Sequence, residues 1–162
     1  MSPLTEAEIR ASFVNCSKGE AKRLSVPRDL AAQPWDDLDF LGWRDPQARA
    51  RGYLVAPHES GLIGVVLRAP DATSATRKNI CSLCITLHPR GGVTLLVAPR
   101  SGRAGAKGDS VGTYICADLR CSLYARKKLT TGTAAMHETL EVEQRVERLR
   151  GNLADFLRRV DR

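Results

Sequence analysis

The stretches Cys81-Ser-Leu-Cys84 and Cys116-Ala-Asp-Leu-Arg-Cys121 decide how this chain is read. The first sets two thiols across a tight turn, a spacing at which both sulfurs reach one ion, and the second supplies another pair. Zinc suits four thiolates, because it takes tetrahedral sulfur ligands at about 2.3 Å without any redox change. A nearby cation such as Arg120 helps to keep thiols deprotonated. The gap in the second pair is wider than the usual two residues, so redox thiols and unrelated buried cysteines stay open as alternatives. A closed site of Cys81, Cys84, Cys116 and Cys121 leaves no position for water or substrate, which makes one structural zinc the expected cofactor. His88 is the replacement ligand if one cysteine goes unused, although a lone histidine is more often a turn or surface residue. Cys16 has no partner at a suitable spacing and reads as a buried thiol.

The segments around the cysteines supply the fold class. Residues 84–87 and 93–98 flank Pro89-Arg90-Gly91-Gly92, which predicts a hairpin closed by a glycine turn. Residues 101–109 are glycine-rich and basic and read as a mobile loop, after which 111–116 returns as a strand and Cys121 opens a short helix. Knuckle, hairpin, strand and helix follow in the order of a treble-clef zinc finger. Upstream, the capping-box pair Thr5 and Glu8, with Ile9 and Phe13 four apart, predicts a helix over 5–14. Pro27 ends any helix through 18–24. Residues 34–46 read as a compact, turn-rich segment whose aromatics pack inward. The branched runs 52–56 and 62–69 form a further hairpin. Downstream, Val142, Val146, Leu149, Leu153, Phe156 and Val160 make one apolar stripe on a helix over about 134–161, with Gly151 as a weak point. The expectation is a single α+β domain over 1–162, with antiparallel hairpins around a finger core at about 78–130, a short N-terminal helix and a long C-terminal one.

Composition bounds the function. A length of 162 residues and 43% hydrophobic content suit a globular chain with a real core. The opening MSPLTEAEIR carries acids and no apolar run, and no stretch nears the roughly 20 apolar residues of a membrane span, so a cytoplasmic location is expected. The formal net charge is +7. Between residues 81 and 128 stand Arg90, Arg100, Arg103, Lys107, Arg120, Arg126, Lys127 and Lys128 against Asp109 and Asp118 alone, so most of the excess sits there. Such a field attracts an acidic protein or a nucleic-acid backbone, although any single one of these side chains is more often plain surface. Residues 102–108 lack the order of a phosphate-cradling loop, and the histidines at 58, 88 and 137 fall in no catalytic motif. For Asp36-Asp37, capping a turn is the simpler account.

With Cys81-Ser-Leu-Cys84 and Gly112-Thr-Tyr-Ile-Cys116-Ala-Asp-Leu-Arg-Cys121-Ser-Leu-Tyr-Ala-Arg126 in view, the chain resembles the treble-clef zinc-finger domain of the elongation-factor-G-binding proteins. These include the fusidic-acid resistance proteins and those once labelled fibronectin-binding. The likeness extends to Phe13-Val-Asn15 and to Trp35-Asp-Asp-Leu-Asp-Phe-Leu-Gly-Trp-Arg-Asp45. It implies a non-enzymatic protein that docks on elongation factor G and helps release it from the ribosome. Cys81, Cys84, Cys116 and Cys121 would inherit the zinc site, and Arg120, Arg126, Lys127 and Lys128 are candidates for the partner surface, to which the charge pattern adds Arg103 and Lys107. The better-known members carry a helical bundle ahead of this domain, where this chain has only the helix over 5–14. An RNA-binding zinc protein contacting ribosomal or transfer RNA is the alternative reading, against which stands an aromatic content of only 5%.

Overall fold

A computed structural model describes residues 1–59, 61–69, 79–132 and 138–162. The start of the long helix at 134, His137 and the first residue of the finger core, 78, lie outside them. Thr5 caps helix α1 (Glu6–Ala11) in the expected capping box, and Ser17 with Glu20 does the same for α2 (Lys18–Arg23). Two short 3-10 turns, Leu30–Ala32 and Trp35–Asp37, lead into β1 (Leu41–Arg44). The aromatics of this segment do pack inward at Trp35 and Phe40, but the strand was hidden by the acids and glycine around it.

Strand β1 pairs with β2 (Arg51–His58), which returns as β3 (Gly61–Arg68). β4 (Val93–Pro99) and β5 (Ser110–Cys116) complete an antiparallel sheet in the order β1-β2-β3-β4-β5. Alternation along β2 and β3 divides two cores. Leu54, Ala56, Ile63, Val65 and Leu67 face the large core shared with the cysteines and the C-terminal helix, while Tyr53, Val55 and Val66 face α1, α2 and Trp35. Asn15 ties the N-terminal layer to the sheet: its amide group donates to the carbonyls of Val66 and Pro99, and its carbonyl accepts from the amide of Val66.

Two expectations are corrected. Residues 84–87 form no strand against β4; the amides of Ile85 and Cys81 bond to the carbonyls of Cys81 and Thr86, and Ile85 turns into the left-handed region at φ 59°. A chain bent in this way cannot continue a ladder, and β4 takes β5 as its hairpin partner. The glycine-rich segment is not a loop throughout, since Gly102–Ala106 folds as a short helix, α3. The close packing of Gly105 on the carbonyl of Arg100 leaves no room there for a side chain. After α4 (Cys121–Ala125), the long helix α5 (Val142–Val160) starts at a capping box of Glu141 and Gln144. The expected stripe is buried at Val146, Leu149, Leu153, Phe156 and Val160, with Leu157 added. Among the described residues no helix is long and apolar enough to cross a membrane.

The sheet meets the cysteine region at one close approach. Leu119, left-handed at φ 60° and buried, lies on β1 where Gly42 offers no side chain; a Cβ there would stand 2.8 Å from both the Cβ and the carbonyl oxygen of Leu119. Gly42→Ala is therefore expected to destabilise the fold by about 2 kcal/mol through overpacking against backbone. Gly151→Ala, on an exposed helical position with nothing within 4 Å, should stabilise it by about 1 kcal/mol. Denaturant unfolding of the two variants checks both signs.

Candidate metal centre

β5 ends on Cys116 and α4 begins on Cys121, so the intervening turn carries two thiols back toward the knuckle at Cys81 and Cys84. The four sulfurs all lie within 4.8 Å of one another, and all four residues are fully buried. Cys81 Sγ stands 3.7 Å from Cys121 Sγ, and Cys84 Sγ stands 3.5 Å from Cys116 Sγ. A tetrahedron with metal–sulfur bonds of about 2.3 Å has edges of about 3.8 Å, so the sulfurs are spaced to hold one zinc ion. The amides of Leu83 and Cys84 point at Cys81 Sγ, at 3.4 and 3.5 Å, donating to the sulfur that needs negative charge. Burial pushes the Cys121 thiol well up, while the Cys84 thiol is driven down by hydrogen bonds from Cys116, Cys121 and Cys81. A divalent ion among the four sulfurs would let their protons leave.

His88 is not a surface residue. It is buried, its Nε2 lies 3.2 Å from Cys116 Sγ, and its ring packs edge-on against Tyr124 with centroids 4.7 Å apart. Gly92 makes room for it, since a Cβ there would fall 2.6 Å from that of His88. With four sulfurs converged, His88 is placed to hydrogen-bond the Cys116 sulfur. The sequence signal was its spacing four residues after Cys84. Arg120 does not serve the sulfurs: it is exposed, and its amide bonds to Asp118 Oδ1. Cys16 is half-buried beside Ala21 and Tyr53, away from the cluster, and burial raises its thiol pKa.

The knuckle is held from behind by α5. Asn152 donates to the carbonyl of Leu83 at 2.9 Å and Arg148 to that of Cys84 at 3.3 Å, while Ser82 donates its amide to Tyr114. A buried ion pair closes the other side. Asp39 accepts two bonds from Arg126, at 2.5 and 3.1 Å, and one from Arg150 at 2.8 Å, joining the turn before β1 to α4 and α5. Burial of Asp39 works against its ionisation, but the two guanidinium partners outweigh it and its pKa is lowered. Sequence reading missed this acid, whose role depends on partners 87 and 111 residues away.

The six basic candidates fall in different places. Arg120 and Lys127 are exposed at the two ends of α4, Lys128 beside them pairs with Asp37 at 2.7 Å, and Arg126 is committed to Asp39. Arg103 and Lys107 sit on or next to α3, at the far end of the seven-residue β4–β5 ladder from Cys116 and so about 20 Å away. They share no patch with Arg120.

Two outcomes are expected. His88→Gln should keep the fold and weaken zinc binding about tenfold or more, read by competition with a chromogenic chelator. Asp39→Asn should cost about 3 kcal/mol at neutral pH. Because the carboxyl pKa is depressed on folding, its contribution is present above the ordinary carboxylate range and lost as pH falls through the folded value. The stability gap between wild type and variant should therefore close below about pH 4, measured by unfolding at a series of pH values.

Comparison with curated proteins and with solved structures finds no match. The family model described as the FBP C-terminal treble-clef zinc-finger matches residues 8–160. Four converging sulfurs, a knuckle, a hairpin and a helix that begins on the last ligand are the parts such a finger requires, and the chain belongs to this family.

Proposed function

We propose that this chain is a non-enzymatic, cytoplasmic docking module of the translation apparatus that binds elongation factor G, free or on the ribosome, and promotes its release. The observation that carries this reading is the placement of Arg120 and Lys127 at the two ends of α4, a helix whose first residue is a sulfur ligand. The metal thereby fixes the distance between two exposed cations, and Asp39 locks the same helix through Arg126. A rigid pair of charges suits recognition of an acidic protein surface, where electrostatic complementarity sets encounter and register. A site closed by four protein sulfurs offers no position at which a substrate meets the ion.

RNA binding is supported by a separate feature. Arg158, Arg159 and Arg162 line a polar cleft of about 420 Å³ at the end of α5, and the amide of Ser101, just before α3, bonds to the carbonyl of Val160. Arg103 and Lys107 therefore stand near that end. Affinity there would fall steeply with salt as neutralised phosphates release counterions.

Capture of purified elongation factor G decides between the two. Wild type should bind at low salt, and the Arg120→Glu/Lys127→Glu double variant should bind at least about tenfold more weakly with an unchanged melting temperature. No binding by the wild type, or equal binding by the double variant, contradicts the factor reading. A loss confined to Arg158→Glu/Arg159→Glu, with transfer RNA as ligand, supports the RNA reading instead.

A further inference from the structure

Arg44 ends β1 opposite Gly52, and its guanidinium lies over that glycine, whose missing Cβ would stand 3.4 Å from Nη1 and 3.2 Å from Leu119 Cδ1. Nη1 is shut off from solvent and has no hydrogen-bond partner, and among the described residues no acid lies within ion-pair distance of this side chain. Three other half-buried arginines have found acids: Arg126 pairs with Asp39, and Arg145 and Arg148 pair with Glu138. A buried guanidinium without a counter-charge costs stability, and burial alone pushes its pKa down. It lines a cleft of about 420 Å³ between β1 and the loop 117–120, the loop that zinc holds in place.

We propose that this cleft is a docking site for an acidic segment of a protein partner, with one of its carboxylates bonded to Arg44. The chemistry of the walls selects this occupant. Trp43 and Pro34 offer apolar surface, and Arg120 adds a second, exposed cation at the mouth. Asp29 and Asp118 are also exposed there, which opposes the dense charge of a nucleic-acid backbone but spares a single carboxylate placed deep on Arg44. Trp43 is not free to stack on a base, since its ring packs on Tyr53 at 5.1 Å and its Nε1 donates to the carbonyl of Ser25. A guanidinium half-enclosed by aromatic and aliphatic walls is the kind of residue that concentrates binding energy at a protein interface. The inference rests on the reading of this chain as a protein-docking module, and it names the residue and the partner chemistry within that reading.

The test uses the zinc-loaded full chain, an acetylated peptide with one glutamate set among alanines and leucines as probe, and the variants Arg44→Met and Arg44→Lys. The methionine keeps the stem that packs on Gly52 and removes the charge. Wild type should bind the peptide saturably at low salt, Arg44→Met about thirtyfold more weakly, and Arg44→Lys between them, because an ammonium cannot grip a carboxylate with two parallel bonds. Arg44→Met should melt at the same temperature as wild type or higher. Unsaturable binding by wild type, equal binding by Arg44→Met, or a clear fall in its melting temperature would overturn the inference. So would displacement of the peptide by single-stranded RNA that itself depends on Arg44. Peptide binding that depends on Arg44 in a protein that fails to capture elongation factor G sinks the factor reading and leaves this one standing. Capture that persists in Arg44→Met with unchanged peptide binding does the reverse.

Discussion

Four buried sulfurs lying within 4.8 Å of one another need a cation among them, and the contacts that join knuckle, sheet and helices run through the elements that carry them. The ion joins a knuckle at Cys81 and Cys84 to the junction of β5 and α4. That junction drives Leu119 onto β1, where Gly42 leaves room for it, and starts the helix from which Arg126 reaches Asp39. Asp39 in turn holds Arg150 on α5, and α5 returns to the knuckle through Asn152 and Arg148. Metal, sheet and helix form a closed circuit of contacts, so a fault in one element loosens the others.

In the proposed docking role, this circuit would let so polar a surface be specific. Exposed arginines and lysines are long and mobile, and their contribution to recognition depends on how firmly their backbone is held. Arg120 and Lys127 leave the chain one residue before and two residues after a helix that opens on a metal ligand. Arg44 ends β1 and lies over Gly52, close to which Leu119 also packs. The cations that are not so held, Arg103 and Lys107, stand at the opposite end of the β4–β5 ladder, where the end of α5 adds three more arginines.

Much of the fold was legible because it is written in local signals. The capping boxes at Thr5 and Ser17, the seven-residue rhythm of Val146, Leu149, Leu153 and Phe156, and the paired cysteines each state their structure over a few residues. What stayed hidden depends on distant partners. β1 is short and interrupted by Gly42, a residue that looks like a turn until Leu119 is seen against it. Residues 84–87 look like a strand because they are apolar, but the pull of amides toward sulfur and carbonyl bends them. Arg126 looked like surface in a basic run and proved to be half of a buried pair, since no local feature marks Asp39 as its partner. His88 was noticed for its spacing, yet its burial depends on Gly92 and Tyr124.

The claim on which the rest turns is that one zinc ion sits among these four sulfurs. X-ray absorption at the zinc edge on the purified, reduced protein measures it directly. The account predicts one zinc per chain with a single shell of four sulfurs at about 2.3 Å and no nitrogen or oxygen in that shell. A protein that is fully folded yet free of metal, or a zinc shell containing nitrogen or oxygen, would contradict it.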